Sequence, residues 1–361
     1  MNWSLNLGRI AGIRLFIHWT FWILIAYIFF AHYAAGHGLR EALWGSAFIF
    51  ALFGCVLLHE LGHALTAKRF GILTDYITLL PIGGLANMRK MPDRPSQELL
   101  VALAGPAVNF VIAAILFVYL TSNDTMPGLD SLHTHQVSPE NFWFNLFVVN
   151  VVLAVFNLIP AFPMDGGRVL RALLAYRLRA VVATRIAAKV GQILAILFVL
   201  IGIFVNVWLV FIGLFVYLGA ASEASHEYAR SVLVRYTAND AAIRRFKILS
   251  ADAPLEAAVR LLLEGQDKKF LVQEKERITG VLTRDDMIRG LTEFGPSRAL
   301  GDIANRDFRT LGPDTNLQDA ADEIAASETN IALIYENSQL IGILDSENVS
   351  EFLMIHSAEG V

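Results

Sequence analysis

The sequence predicts an α-helical, polytopic membrane region followed by a soluble α+β region. Hydrophobic residues make up 55% of the 361 residues and charged residues only 17%, which is unusual for a soluble globular protein. The charge is also divided. Residues 1–230 hold 15 Lys and Arg against 11 Asp and Glu, whereas residues 231–361 hold 14 against 22. An apolar, slightly basic region is therefore joined to an acidic one, and a basic nucleic-acid-binding protein is excluded.

Six apolar runs approach the length that crosses about 30 Å of hydrocarbon. They lie at about 17–35, 42–67, 97–121, 142–161, 186–205 and 207–222. Lys and Arg follow the second and fourth runs, whereas the segment 122–141 has neither. By the positive-inside rule, we expect a multi-pass protein of the cell inner (plasma) membrane with both termini in the cytoplasm.

Residues 72–91 break this helical pattern. They mix β-branched and aromatic residues with a Pro-Ile-Gly-Gly turn, which predicts short strands. A strand at membrane depth is tolerated only against protein or a water-filled cavity. A short membrane-associated β segment is therefore expected beside such a cavity.

The soluble end contains an internal repeat with a constant offset of 62 residues, so that Gly280 matches Gly342 and Leu282 matches Leu344. Each copy reads as a helix, two short strands and a second helix. Copies of this size cannot each close a core, so they are expected to pack on one another. The predicted organisation is a membrane domain at 1–225, a linker at 226–243 and a repeat domain at 244–361, with copies at about 244–293 and 306–355.

The second apolar run contains the sequence HELGH. His59 and His63 are four residues apart and share one helix face, where two imidazoles can bind one Zn²⁺ and Glu60 can act as general base on a water molecule. Titratable residues inside an apolar helix are costly and usually functional, which argues against an accidental match. Because Cys55 is the only cysteine, a site built from several thiolates is excluded.

A catalytic zinc usually has three protein ligands, so two histidines leave one to be found. Asp165 follows the fourth run in NLIPAFPMDGGR, whose prolines and glycines break the helix there. Asp165 has two interpretations, a cap of the following helix or the third ligand. The need of the HExxH pair for a partner favours the ligand.

Three other polar residues have structural interpretations. Asn109 and Asn150, inside apolar runs, are expected to make interhelical hydrogen bonds, with a substrate role as the alternative. Cys55 lies four residues before His59. It is expected to be a small packing residue, with a fourth zinc ligand as the alternative.

Together HELGH, AGPAVN at 104–109 and NLIPAFPMDGG at 157–167 resemble the site-2 protease family of intramembrane zinc metalloproteases. The resemblance covers about residues 10–225. It implies a zinc endopeptidase in which His59, His63 and Asp165 bind one Zn²⁺ and Glu60 is the catalytic acid and base. It also implies that Asn157 positions substrate or stabilises the oxyanion, and that Gly83, Gly84 and Asn87 line the substrate path.

The internal repeat resembles a tandem pair of cystathionine-β-synthase (CBS) domains, a module that often binds adenine nucleotides. The ribose-binding pattern of that family matches Thr283 and Asp286, after Gly280. The second copy reads Asp345 and Asn348 instead, which puts a second nucleotide site in doubt. The resemblance therefore implies ATP, ADP or AMP binding at the first copy, or a docking module that binds no ligand and joins copies of the chain.

The combined expectation is regulated intramembrane proteolysis. A transmembrane substrate is helical, because its backbone groups must bond internally in lipid, and it must unwind before cleavage. The strands at 72–91 are expected to hold the unwound segment by β-addition. The alternative is a transporter or channel gated by the CBS pair, but the acids and bases expected along an ion path are missing from the apolar runs.

Overall fold

The computed structural model describes residues 4–34, 36, 38–81, 83–88, 92, 94–126, 138–265 and 268–359. The chain divides into two compact units, Met1–Ser225 and His226–Val361. The first unit holds the apolar helices and a small sheet, and the second holds the repeat.

Seven helices follow one another through the described part of the first unit and into the start of the second. They are α1 (Trp19–Ala34), α2 (Gly38–Arg69), α3 (Pro95–Ser122), α4 (Phe142–Asn157), α5 (Asp165–Ala175), α6 (Ala180–Val205) and α7 (Val207–Leu233). Each predicted apolar run overlaps one of these helices. α5 is the additional, short one.

Four of these helices, α2, α3, α6 and α7, are long and apolar enough to cross a membrane. α1 and α4 have only 16 residues each. At 1.5 Å per residue they rise about 24 Å, which is less than the ~30 Å of hydrocarbon in a bilayer. The prediction of a helical membrane region is confirmed, whereas the count of six crossings is not.

The outer faces of α6 and α7 are apolar. Phe204, Val205 and Trp208 are 87%, 76% and 70% exposed, whereas Ala187 and Ala195 on the inner side of α6 are fully buried. Large apolar residues outside and small residues inside are the reverse of a soluble protein and are typical of a surface in contact with lipid.

A four-stranded sheet lies in the first unit, in the order β1 (Ser4–Ile10), β2 (Ile13–His18), β3 (Thr74–Leu80) and β4 (Gly83–Met88). β2 and β3 are parallel, and the two outer pairs are antiparallel. β3 and β4 lie within the segment predicted to form strands. β1 and β2 were not predicted from the sequence. Ala11 and Gly12, between them, adopt the positive φ angles of a tight hairpin turn. β4 is an edge strand, beside α2.

The break between α4 and α5 follows from its sequence. α4 ends at Asn157 and α5 begins at Asp165, so the prolines and glycines interrupt the helix as predicted. A Cβ atom on Gly166 would lie 2.2 Å from the carbonyl oxygen of Ile159. Only glycine allows the chain to fold back this closely, and this turn aims the start of α5 toward α3.

The second unit contains two β-β-α copies, each with a preceding strand and helix. The elements are β5 (Ile248–Ser250), α8 (Leu255–Glu264), β6 (Lys269–Glu274), β7 (Arg277–Thr283), α9 (Arg284–Phe294), α10 (Leu300–Ile303), β8 (Arg309–Leu311), α11 (Leu317–Ala325), β9 (Ile331–Glu336), β10 (Gln339–Asp345) and α12 (Ser346–Glu359). The sheets have the orders β5-β6-β7 and β10-β9-β8. β6 and β7 recur as β9 and β10 at the predicted offset.

Each copy is completed by chain that precedes the other copy. Ile243 pairs with Ile343 of β10, and Asn305, which occupies the position of the repeat that corresponds to Ile243, pairs with Val281 of β7. The buried cluster that includes Val281, Leu333 and Ile343 is shared by both copies. The two copies are therefore interlocked, which explains physically why neither can close a core alone.

Candidate active site

His59 and His63 lie on one face of α2, inside the first unit. Both side chains are 7% exposed, and their ring centroids are 4.8 Å apart in an edge-to-face arrangement. Helical spacing of four residues brings the two Nε2 atoms to 3.1 Å from one another. A single ion could contact both.

Asp165, the first residue of α5, reaches the same point. Its Oδ2 atom lies 3.2 Å from His59 Nε2 and 3.1 Å from His63 Nε2. Met164 occupies the N-cap position, and the Asp165 carboxylate faces the histidines. The fold therefore brings together His63 and Asp165, which are 102 positions apart in the sequence, and the geometry favours the ligand interpretation of Asp165 over the cap.

The space between these three side chains fits a metal ion. A Cβ atom on Gly105 of α3 would lie 2.2 Å from His63 Nε2 and 2.6 Å from His59 Nε2, so glycine keeps the cluster clear. Two imidazole nitrogens and one carboxylate oxygen are a common zinc ligand set, and three protein ligands leave a position open for reactants. Among the described residues, His59, His63 and Asp165 form the group that could hold a metal ion.

The other nitrogen of each imidazole ring is hydrogen-bonded. His63 Nδ1 donates to the carbonyl oxygen of Val101 at 2.7 Å, and His59 Nδ1 lies 2.7 Å from Asn109 Oδ1. Such partners fix the orientation of a metal-binding imidazole. Asn109 and Asn150 are joined to each other, so the expected interhelical hydrogen bond is present.

Glu60 lies beside the edge strand β4. A Cβ atom on Gly84 would come within 2.5 Å of Glu60 Cγ, so the strand backbone passes directly over the glutamate side chain. Gly83 and Asn87 lie on the same strand, and the Asn87 side chain is exposed. The predicted substrate-path residues are thus next to the predicted general base.

Asn157 is the last residue of α4, and its side-chain amide donates to the Leu153 carbonyl of its own helix at 3.0 Å. Its assignment to substrate binding stays a prediction. Cys55 lies 3.4 Å from the Asn150 amide nitrogen and does not join the His–His–Asp cluster of the described residues. The packing interpretation of Cys55 fits this position.

Sequence reasoning missed two contributions from α3, the Val101 carbonyl and the space at Gly105. A signal was present in AGPAVN, because glycine and proline both weaken a helix interior and together mark a place where the backbone itself is needed. Pro106, inside α3, has no N–H, which interrupts the helical bonding one turn after Val101.

In the second unit, Thr283 and Asp286 are hydrogen-bonded to each other at the start of α9. The Thr283 backbone N–H donates to Asp286 Oδ2 at 3.0 Å, and the Asp286 backbone N–H donates back to the Thr283 hydroxyl. Asp286 is 5% exposed and also pairs with Arg289. This reciprocal arrangement is a helix capping box, a structural role that Thr283 and Asp286 fill whether or not a nucleotide binds.

A cavity of about 220 Å³ lies at the matching place in the second copy. Its lining residues combine apolar walls with three cations and three carboxylates. They are Ile243, Arg245, Phe246, Lys268, Lys269, Ile343, Asp345, Glu347, Asn348 and Glu351. Lys269 pairs with Asp345 at 2.8 Å, and the hydrogen bond and charge of Glu347 raise the pKa of Lys268.

Comparison with known proteins gives matches to both units. The chain matches the model of peptidase family M50 over residues 47–201 and the CBS domain model over residues 238–293 and 300–355. A zinc metalloprotease of Methanocaldococcus jannaschii is 34% identical over 288 residues, which is 78% of this chain and 78% of that protein.

Two further proteins extend the comparison. The protein Rip3 of Mycobacterium tuberculosis is 28% identical over 386 aligned positions, which span 99% of this chain and 94% of Rip3. A solved structure of a site-2 protease from Methanocaldococcus jannaschii is 36% identical, with a TM-score of 0.44 over 62% of this chain and 95% of that one.

Proposed function

Because this chain belongs to peptidase family M50, the site-2 protease family of zinc metalloproteases, we propose that it cleaves membrane-bound regulatory proteins in or near their transmembrane segments. The observation that carries the proposal is the location of His59, Glu60 and His63 within α2, a helix long and apolar enough to cross a membrane. Titratable side chains inside such a helix have a high energetic cost, so those that are present usually serve a function. A hydrolytic site there acts on peptide bonds that soluble proteases do not reach.

The chain is a multi-pass membrane protein, and we place it in the cell inner (plasma) membrane with both termini in the cytoplasm. The support is the asymmetry of Lys and Arg between the connecting segments. In this orientation the CBS pair meets the cytoplasmic nucleotide pool, and α5, which carries Asp165, follows α4 at the cytoplasmic side.

Cleavage at this site requires a locally unwound substrate. A transmembrane helix bonds its carbonyls internally, which shields the scissile bond from a nucleophile. An edge strand offers unpaired N–H and C=O groups to an extended segment. β4 is such an edge, and we propose that Gly83, Gly84 and Asn87 hold the unwound substrate against it, directly above Glu60.

The catalytic residues then have separate tasks. His59, His63 and Asp165 would hold Zn²⁺, which supplies Lewis-acid chemistry that polarises a peptide carbonyl and acidifies a water molecule. Glu60 takes a proton from the attacking water and later gives it to the leaving amine. Gly84 lets the substrate strand approach Glu60, because any side chain at that position would occupy the space of the glutamate.

Replacement of Glu60 by glutamine tests this assignment. Glu60→Gln preserves the shape of the side chain and removes the base, and general acid–base groups contribute about 10²–10⁴-fold to rate. We expect the rate at which the purified protein cleaves a transmembrane reporter substrate to fall by about 10²-fold or more, with zinc content unchanged. Both quantities are measured on the same preparation.

Retained proteolysis in Glu60→Gln would contradict the role of Glu60. Absence of zinc from the wild-type protein, or cleavage that survives complete removal of zinc, would contradict the metalloprotease site itself. His63→Ala is the matched comparison, because it is expected to lose zinc and cleavage together.

We also propose that the CBS pair regulates cleavage by binding an adenine nucleotide. The cavity at the second copy supports this, since Phe246 and Ile343 offer apolar surface for a base, Asp345 can accept hydrogen bonds from ribose hydroxyls, and Lys268 and Lys269 can meet phosphate. The positions predicted from the sequence, Thr283 and Asp286, remain the competing site.

Thermal stability decides between the two copies. A ligand that binds only the folded state at 100 times its dissociation constant stabilises by about 2.7 kcal/mol. We expect ATP, ADP or AMP to raise the melting temperature of the second unit in the full chain, and Asp345→Ala to abolish the shift. Loss of the shift in Asp286→Ala alone would place the nucleotide at the first copy, and no shift with any of the three would leave a docking module.

A further inference from the structure

Two asparagines lie behind the histidine pair in a continuous chain of hydrogen bonds. Asn109 of α3 and Asn150 of α4 are both fully buried. His59 Nδ1 lies 2.7 Å from Asn109 Oδ1, Asn109 Nδ2 lies 3.2 Å from Asn150 Oδ1, and Asn150 Nδ2 lies 2.8 Å from the Leu146 carbonyl oxygen. These hydrogen bonds join α2, α3 and α4 and end on His59, which is assigned to the metal site.

The Leu146 carbonyl sets the direction of every bond in this chain. A carbonyl oxygen only accepts, so Asn150 must present its NH₂ group to it. The second N–H of that group lies against Cys55 Sγ, at 3.4 Å. The Asn150 oxygen then faces Asn109 and accepts from its NH₂ group, which leaves the Asn109 oxygen facing His59.

The direction of these bonds determines where the proton of His59 resides. The Asn109 oxygen can only accept, so His59 Nδ1 carries the proton and donates it. In a neutral imidazole, a proton on Nδ1 leaves the lone pair on Nε2. Nε2 is the atom that faces His63 and Asp165, so the chain of amides prepares His59 as a metal ligand.

His63 reaches the same tautomer in a different way. Its Nδ1 donates to the backbone carbonyl of Val101, which also only accepts. No side-chain substitution removes that carbonyl. The two histidine ligands therefore differ, because His63 depends on backbone and His59 depends on side chains from α3 and α4.

We propose that Asn109 and Asn150 form an amide relay of positioning residues that fixes the Nδ1–H tautomer of His59 and thereby sets the affinity of the site for zinc. The described residues of α4 supply no ligand atom to the cluster. Through this relay, α4 nevertheless affects the affinity of the site for the metal. Removal of such a hydrogen-bond partner typically costs about 10–100-fold in metal affinity.

The competing explanation is that the two asparagines only hold α3 and α4 together. The two explanations differ in what they predict for zinc. A purely packing role lowers the stability of the metal-free protein and leaves the zinc dissociation constant unchanged. Under the relay, the zinc dissociation constant rises when either asparagine is removed, and an acceptor restored at position 109 recovers part of the affinity.

The test measures the zinc dissociation constant of the full chain in detergent by competition with a chromogenic chelator, and the melting temperature of the metal-free protein. Asn109→Leu removes the acceptor, and we expect its dissociation constant to rise about 10–100-fold. Asn150→Leu leaves the Asn109 amide free to rotate, and we expect a smaller rise. Asn109→Asp keeps an oxygen facing His59, as in carboxylate–histidine–zinc sites, but turns its second oxygen toward the Asn150 oxygen, so we expect a dissociation constant between those of wild type and Asn109→Leu.

Ser46→Ala is the matched control. Ser46 is a buried polar residue of α2 whose hydroxyl donates to the Ala42 carbonyl of its own helix at 2.9 Å, away from His59. Equal dissociation constants for Asn109→Leu and Ser46→Ala overturn the relay, as does an Asn109→Asp variant as weak as Asn109→Leu. If Asn109→Leu does not fold, Asn150→Leu decides, and zinc binding equal to that of Ser46→Ala overturns the relay.

The relay rests on the zinc site described under the proposed function, and the two can fail separately. If the zinc site is wrong, the wild-type chain binds no zinc or His63→Ala keeps wild-type affinity, and both proposals are overturned. If only the relay is wrong, wild type binds zinc, His63→Ala does not, and Asn109→Leu keeps the wild-type dissociation constant.

Discussion

Buried polar side chains are organised differently in the two units. In the first unit, His59, His63 and Asp165 meet at one point, and Asn109 and Asn150 are hydrogen-bonded in series behind His59, so that four helices contribute. In the second unit, the buried acids lie at helix starts. Asp286 is hydrogen-bonded within a capping box, and Asp345 accepts from the Asn348 backbone N–H.

The difference follows from the surroundings of each unit. In an apolar environment an unpaired polar group is expensive, so the few polar residues of the helices are retained where they partner each other or an ion. In a water-soluble domain an acid at the start of a helix is an ordinary cap. A buried acid such as Asp165 therefore indicates function in the first unit, whereas Asp286 in the second unit already has a structural explanation in its capping box.

The largest contrast is expected between Asp165→Ala and Asp286→Ala. Asp165→Ala removes one of three ligands, so we expect loss of zinc and of all measurable cleavage. Asp286→Ala removes a capping interaction, so we expect a loss of about 0.5–2 kcal/mol in the stability of the second unit and no change of cleavage in nucleotide-free buffer. Metal analysis, a cleavage assay and a thermal melt measure these quantities. Zinc retained at wild-type affinity in Asp165→Ala would break the contrast.

A smaller effect is expected from Gly84→Ala in β4. The added methyl group must displace the Glu60 side chain, and a misplacement of about 1 Å can cost about 10²-fold in rate. We expect kcat/KM to fall by about that factor with zinc content unchanged. Gly54→Ala on α2 is the control, because its Cβ atom would meet nothing within 4 Å. Equal kcat/KM values for the two variants would argue against the contact between β4 and Glu60.

A difference in stability is expected between a buried and an exposed ion pair. Arg171 of α5 donates through Nε to Glu98 of α3 at 2.6 Å, and both side chains are nearly buried. Arg171→Met leaves the Glu98 carboxylate buried without this partner, so we expect a loss of about 3–5 kcal/mol. The exposed pair of Arg260 with Glu256 is the control, and Arg260→Met is expected to cost about 0–1 kcal/mol. Equal losses in denaturant unfolding would contradict the contrast.

Much of the fold could be predicted from the sequence because its signals are local. Apolar run length gives the helices, the HExxH spacing gives one helix face, and the prolines before Asp165 give the break between α4 and α5. The constant offset of the repeat also gives the two copies of the second unit. Most of these features depend on residues close together in the chain, where helix and strand periodicity act directly.

The features that were missed involve backbone atoms or distant partners. β1 and β2 gain their place by the pairing of β2 with β3, which follows only after the whole of α1 and α2 in the sequence. The carbonyls of Val101 and Leu146 carry no residue-type signal, although they set the tautomers of His63 and His59. The cavity at the second copy depends on the interlocking of the two copies, which brings Ile243 against Ile343.

The sequence by itself determined the class of this protein, its candidate metal-binding pair and its repeat, because the spacing of residues and their hydrophobic period are properties of the sequence. Only the tertiary structure decided that Asp165 faces the histidines, that β4 lies over Glu60, and that two asparagines orient one imidazole. Those relations join residues from distant parts of the chain, such as His63 and Asp165. They follow from helix packing and from the requirement that buried polar groups find partners, which the order of residues does not specify.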